Sequence, residues 1–188
     1  MTETPNPYIV DADTLTGEMR PIRKAVLALG SNLGDRLATL QGAVQALADT
    51  PDLWIQAISP VYETAGINTP DGSGEFLNAV IVADTALNAV MLLDRAHAIE
   101  DTYGRERTGE PNQPRTLDID LIVLGDHASA KDPVLPHPRA AQRAFVLKPW
   151  SDIEPEAVLP GSGPVAGLLP AVADQVVRRR DDLTLREE

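Results

Sequence analysis

Residues 114–124, P-R-T-L-D-I-D-L-I-V-L, alternate with a period of two. That is the period of a strand whose successive side chains point to opposite faces. Leu117, Ile119, Leu121 and Val123 share one expected face, and Asp118, Asp120, Ile122 and Leu124 share the other. Two carboxylates thus open an apolar strand on the same side, one pleat and ~6.6 Å apart.

Similar patterning organises the rest of the chain. Residues 24–29 (K-A-V-L-A-L) read as a buried strand ended by a turn at Gly30, Ser31 and Asn32. Leu33, Leu37, Leu40, Val44 and Leu47 then recur at helical spacing, with Asp35 favouring the helix N-terminus. Residues 54–62 predict a second strand, with Pro60 near an edge or bulge. Residues 64–75, rich in Gly, Pro and Asp, predict a surface loop, and 76–83 (F-L-N-A-V-I-V-A) a third strand. Over 88–103 the stripe Leu92, Ala96, Ile99 and Tyr103 predicts a second helix, ended by Gly104. A loop over 105–113 leads into the strand that carries the two aspartates.

Beyond it, 131–141 read as a Pro-rich loop, 143–147 as a short apolar segment, 150–160 as a connection and 165–177 as a helix. The three arginines at 178–180, beside Asp181 and Asp182, read as a solvated tail. The order βαββαβ is that of an α+β, ferredoxin-like core. It predicts an antiparallel sheet with both main helices on one face and the C-terminal additions partly covering the other. Residues 1–22 are expected to be a disordered or extended arm, 23–174 the domain and 175–188 a charged tail.

Composition narrows the function. At 188 residues and 43% hydrophobic, the chain fits one domain with a sizeable core. It has no cysteine, which excludes a disulfide frame, a thiolate zinc site and a thiol nucleophile. A net charge of -12 argues against nucleic acid and anionic membranes as partners. No apolar run is long enough to span a bilayer, and no secretory leader is expected, since the first residues lack a basic n-region and an apolar h-region. A cytoplasmic enzyme is expected.

The aspartate pair supplies the candidate chemistry. Two bare charges ~6.6 Å apart repel by roughly 2.5 kcal/mol at an effective dielectric near 20. Cations or donors between them relieve that cost, and Mg²⁺ binds through one or two carboxylates plus substrate phosphates. Arg105, Arg107 and Arg115 precede the pair. Carboxylates for metal beside guanidinium groups for phosphate suit nucleotide phosphoryl transfer. Spacing alone leaves a second reading open, a solvated strand end bridged to those arginines. His137, in a loop, is a better site candidate than His97, which lies with Glu100 near the helical stripe. Asn78 is strongly polar within an apolar strand, so it either fixes the neighbouring loop or reads a ligand's hydrogen-bonding edge.

Several blocks together carry a resemblance. They are A-L-G-S-N-L-G-D-R at 28–36, S-P-V-Y-E-T at 59–64, F-L-N-A-V at 76–80 and E-D-T-Y-G-R-E-R at 100–107. P-R-T-L-D-I-D-L at 114–121, L-P-H-P-R at 135–139 and R-A-F-V-L at 143–147 complete the series. In this order they resemble the 6-hydroxymethyl-7,8-dihydropterin pyrophosphokinases of folate biosynthesis, over roughly 26–169. The resemblance implies transfer of the terminal diphosphate of ATP to the pterin's hydroxymethyl oxygen, leaving AMP. It implies two Mg²⁺ ions on Asp118 and Asp120, and phosphate contacts from Arg105 and Arg115, with Asp120 a candidate proton acceptor. Arg107 would belong to a closing loop, and His137 and Arg143, with His97 and Glu100, complete the expected ATP set. The pterin would lie between Phe76 and Phe145, the only two phenylalanines. Asn78 would read its polar edge, with further contacts from Thr64, Ala65 and Ile67. Asn112 and Gln113 stand where many relatives carry an aromatic residue and glycine. The expected partners are the two small substrates, with no nucleic acid and no membrane, and the protein is expected to be a monomer. The alternative is a non-catalytic nucleotide- or pterin-binding module.

Overall fold

A computed structural model describes residues 9–10, 20–65, 74–104 and 116–187. The central strand, β1 (Arg23–Ser31), leads to α1 (Arg36–Ala48). Strands β2 (Leu53–Ile58), β3 (Tyr62–Thr64) and β4 (Phe76–Thr85) follow, then α2 (Ala89–Thr102) and β5 (Asp118–Leu124). Helix α3 (Ala144–Ile153) and a late strand β6 (Val177–Arg179) complete the main elements. The sheet order is β6-β3-β4-β1-β5, with β2 pairing to β4 on the same edge as β3. Each of these pairings is antiparallel. This is the expected ferredoxin-like βαββαβ core.

Alternation along β1 divides the interior in two. Ala25, Leu27 and Leu29 pack with Leu40, Val44 and Leu47 of α1 and with Leu92, Ala96 and Ile99 of α2. Val26 and Ala28 point the other way, with Val80 and Val82, against Val146, Leu147 and Trp150 of α3. Burying each such Leu or Val contributes roughly 1.5–3 kcal/mol. The caps of both main helices are local. Asp35 accepts from the Ala38 amide at 3.0 Å and Asn88 from the Met91 amide at 2.9 Å. Gly104 adopts φ 73°, a left-handed value that suits glycine where α2 stops.

Four departures from the expected pattern have physical causes. First, β1 runs on through Gly30 and Ser31, and the turn falls later, where Gly34 has φ 65°. Second, the expected strand over 54–62 is broken at Ser59–Pro60. There the Ser59 hydroxyl accepts from the Val80 amide at 2.8 Å, replacing a ladder bond.

Third, the register of β5 on β1 shifts between Val26 and Leu27. Ile122 and Val123 therefore both face α3, and Leu124 returns to the α1–α2 side, reversing the expected sides of Val123 and Leu124. Fourth, the arginines read as a solvated tail form part of the sheet. Val177, Arg178 and Arg179 pair with Thr64, Glu63 and Tyr62. Glu63, with its side chain only 5% exposed, holds them there. Its carboxylate accepts from Arg178 at 2.9 Å, from Arg36 at 3.0 Å and from Arg180. The chain beyond packs back on α1: Leu185 is buried, and the Arg186 amide donates to Gln41 at 3.0 Å. Among the described residues no helix is long and apolar enough to cross a membrane.

Candidate active site

The register of three strands lays out the site. Asn78, Gly30 and Asp118 are aligned across β4, β1 and β5, and Val80, Ala28 and Asp120 form the next row. Aligned residues share a face, here the one that α3 partly covers. Asp118 and Asp120 therefore lie where the alternation placed them, on one side and one pleat apart. Both are half-buried, and the Asp120 side chain keeps 29% of its surface. Glu100, which is 1% exposed on α2, accepts the amide of Ile119 at 2.8 Å. The residue expected on the nucleotide thus reaches from behind the sheet to the peptide between the two aspartates. His97, on the same helix, is half-buried.

Cationic groups come from the segment after β5. Arg143 Nη1 donates to Asp120 Oδ2 at 3.2 Å, and its guanidinium lies 5.4 Å from the centroid of the Phe145 ring. Burial lowers the pKa of Arg143, opposed by the charge of Asp120. The His137 amide donates to the Ile122 carbonyl at 2.8 Å, fixing this loop against β5. Burial first, then the charges of Arg143 and Arg139, lower the His137 pKa to about 4, against the pull of Asp118. The ring is neutral at pH 7. Its Nδ1 accepts from the Arg139 amide at 3.2 Å, which leaves the ring proton on Nε2.

The other half of the site is neutral and flat. Asn78, 4% exposed, donates from Nδ2 to Thr64 Oγ1 at 2.8 Å. A Cβ on Gly30 would stand 3.3 Å from Asn78 Oδ1 and 3.6 Å from Phe76 Cδ1. Glycine here leaves a shallow floor between the amide and the first aspartate. Phe76, half-buried, opens β4, and Phe145, also half-buried, opens α3. Ala65 is exposed at the end of β3. Arg105, Arg107, Arg115 and Ile67 lie outside the described residues, as do Asn112 and Gln113.

Two residues that the sequence pattern did not single out hold this arrangement. Gln175 bonds to the backbone on both sides of Arg143: Oε1 accepts from the Ala144 amide at 2.9 Å, and Nε2 donates to the Gln142 carbonyl at 2.7 Å. Tyr62, aligned with Asn78 and buried, donates to Asp152 of α3 at 2.5 Å. Burial, then that carboxylate, raises its phenol pKa. Neither residue stands out from its neighbours by an apolar or polar period.

Asp118 and Asp120 suit a divalent cation by donor type: hard carboxylate oxygens, side by side and partly exposed. Among the described residues no group of three or more His, Cys, Asp or Glu side chains has metal-binding geometry. Phosphate oxygens and water would complete the ligand set, as is usual for Mg²⁺.

Known proteins resemble this chain in sequence and in fold. Residues 26–155 match the family model described as 7,8-dihydro-6-hydroxymethylpterin-pyrophosphokinase (HPPK). A 2-amino-4-hydroxy-6-hydroxymethyldihydropteridine pyrophosphokinase of Methylorubrum extorquens is 41% identical over 139 residues, which cover 73% of this chain and 87% of that protein. The enzyme of the same name from Mycobacterium tuberculosis is 39% identical over 174 residues, covering 81% and 88%. Among solved structures, wild-type Plasmodium falciparum HPPK-DHPS with pteroate is similar in fold, with a TM-score of 0.63 at 16% identity. That likeness covers 84% of this chain but 43% of the Plasmodium chain, so the present chain spans less than half of it. With the family model covering most of the ordered core and two such relatives aligned over most of their length, the chain belongs to the 7,8-dihydro-6-hydroxymethylpterin-pyrophosphokinase family.

Proposed function

We infer that this protein transfers the terminal diphosphate of ATP to the hydroxymethyl oxygen of 6-hydroxymethyl-7,8-dihydropterin, releasing AMP, as a step of folate biosynthesis. One observation carries the reading within the family. Asp118 and Asp120 share a sheet face with Asn78 and Gly30, and Arg143 bonds directly to Asp120. An acidic half for a metal-bound triphosphate thus adjoins a flat amide-lined half for a polar heterocycle.

The reaction forms a bond from the pterin oxygen to the β-phosphorus and breaks the bond from that phosphorus to the α,β-bridging oxygen. Asp118 and Asp120 would hold Mg²⁺, two ions in this proposal, which would neutralise phosphate oxygens and lower the pKa of the attacking hydroxyl. Arg143 supplies a fixed guanidinium next to that charge, and the neutral His137 offers its Nε2 proton to the nucleotide. Arg105 and Arg115 stabilise charge developing on the bridging oxygen, and Arg107 closes over the phosphates. Asn78, oriented by Thr64, reads the pterin's polar edge while Phe76 and Phe145 stack on its faces. In this proposal Asp120 receives the hydroxyl proton. Ala65 and Ile67 are the further pterin contacts of this proposal. The protein acts as a monomer in the cytoplasm.

Product analysis tests the reading. With ATP, Mg²⁺ and the hydroxymethyl pterin, AMP and the pterin diphosphate form in equal amounts. ADP as the product would overturn it, and ATP binding without turnover would establish the non-catalytic module instead.

A further inference from the structure

The C-terminal segment 175–180 lies beyond the residues that match the family model, yet it bonds to residues that adjoin both halves of the site. At one end, Gln175 bonds to the two peptide groups that flank Arg143. Arg143 sits at the N-cap of α3 with an extended backbone, φ -121° and ψ 104°, and its side chain makes no capping bond. The Ala144 amide is one of the donors a helix start leaves unpaired, and Gln175 supplies its acceptor from outside the helix. Gln175 thus fixes the peptide groups on both sides of Arg143, beside the bonds that the amide and carbonyl of Arg143 itself make to Ala140, Val146 and Leu147.

At the other end, Glu63 and Glu75 bracket the amide-lined half. Glu63 precedes Thr64, the acceptor for Asn78, and Glu75 precedes Phe76. Arg178 bonds to Glu63 at 2.9 Å and to Glu75 at 3.4 Å. Arg36 reaches Glu63 at 3.0 Å and the Glu75 carbonyl at 2.7 Å. The Arg180 amide donates to Val61 at 2.8 Å, closing the ladder of β6 on β3. One enclosed carboxylate thus fixes the backbone on both sides of the Thr64–Asn78 pair.

We propose that segment 175–180 is a positioning strap for the substrate site, with Gln175 orienting Arg143 for the nucleotide and Arg178 and Arg180, through Glu63, holding Thr64 and Asn78 for the pterin. The proposal rests on the functional reading above, which assigns ATP to Arg143 and the pterin to Asn78. A segment that only held the fold together would move both substrates alike. A strap with two separate attachments moves them separately.

The experiment is steady-state kinetics of the full chain, varying each substrate at saturation of the other, at a temperature where thermal melting shows every variant folded. Gln175→Ala should raise KM for ATP about fivefold, the equivalent of one neutral hydrogen bond, and leave KM for the pterin within about twofold. Glu63→Gln should do the reverse, raising KM for the pterin about tenfold, as expected for a charged hydrogen bond. If Glu63→Gln does not fold, Arg178→Gln, whose side chain is 62% exposed, tests the same end with a change of about threefold. Equal changes in both KM values, or no change in either, would overturn the strap. Arg143→Ala and Asn78→Ala are the references: if they leave ATP and pterin KM unchanged, the underlying site assignment fails and the strap with it.

Discussion

Two carboxylate–guanidinium clusters lie on opposite faces of the same sheet, and they differ in what surrounds the carboxylate. Glu63, aligned with Leu77 on the face that α1 covers, is 5% exposed, and three guanidinium groups from two separate elements converge on it. Asp120, on the face that α3 covers, bonds to Arg143 and keeps 29% of its side-chain surface. An enclosed charge met on all sides by protein donors serves the fold, because no ligand can reach it. A partly exposed carboxylate beside a second one can be reached by a metal or substrate. Similar residue types thus perform structural work in one place and chemistry in the other, and exposure separates the two better than the count of arginines.

The largest effect that sharpens this contrast is on turnover. Asp118→Ala or Asp120→Ala should lower kcat by about 10³-fold or more, the scale expected when the charge neutralising a transferring phosphoryl group is lost. Thermal melting should show both variants folded, because each aspartate is half-buried and belongs to neither apolar cluster. AMP release by chromatography and thermal melting measure the two quantities. A variant that melted early yet kept its turnover would make the aspartates the structural pair and reverse the comparison.

Glu63 should behave in the opposite way. Glu63→Gln leaves three guanidinium groups around a neutral amide and should cost about 3 kcal/mol of stability by urea unfolding. The effect has a predictable pH dependence. Burial alone would raise the pKa of this carboxyl, but hydrogen bonds from Arg178, Arg180 and Arg36 outweigh it and bring the value to about 2, from 4.5. Because the folded value is depressed, the unfolded chain takes up the proton first. The stabilisation is complete above pH 4.5 and is lost as pH falls through 2. The stability gap between parent and variant should therefore narrow from pH 5 downwards. A gap constant over that range would show that packing, not ionisation, is responsible.

These two clusters were unequally legible in the sequence. The aspartates fall on a clean alternation, so their shared face could be read from residues 117–121 alone. Strands β1, β4 and β5 were legible too, because each is a long, mainly apolar run. Strand β6 was not. Val-Arg-Arg carries no hydrophobic period, and its place depends on Glu63, more than a hundred residues earlier. The reversal at Val123 and Leu124 was hidden as well, because a bulge depends on how two strands pair and not on either strand by itself. Helix α3 read as a short apolar stretch because Pro149 lies inside it, where proline removes a backbone donor. Gly30 was taken for part of a turn, since glycine near a strand end usually marks one.

That last misreading leads to the smallest expected effect. Gly30 lies in a regular strand between Asn78 and Asp118, and its φ is not left-handed. Backbone freedom therefore does not require glycine here, and alanine would even reduce the entropy lost on folding, a gain of roughly 0.5–1 kcal/mol. What glycine supplies is space. The added Cβ would sit 3.3 Å from Asn78 Oδ1, tighter than ordinary contact, and 3.6 Å from Phe76 Cδ1. It would fill the floor beneath a flat ligand and press on the amide that reads the ligand's edge. Gly30→Ala should keep or slightly raise the melting temperature while raising KM for the pterin about three- to tenfold, the cost of about one misplaced hydrogen bond. KM for ATP should stay within about twofold, because β5, which carries both aspartates, flanks β1 on the side away from Asn78 and Phe76. A variant with unchanged pterin KM would place the heterocycle away from this floor, and one with weakened ATP alone would exchange the two halves of the site.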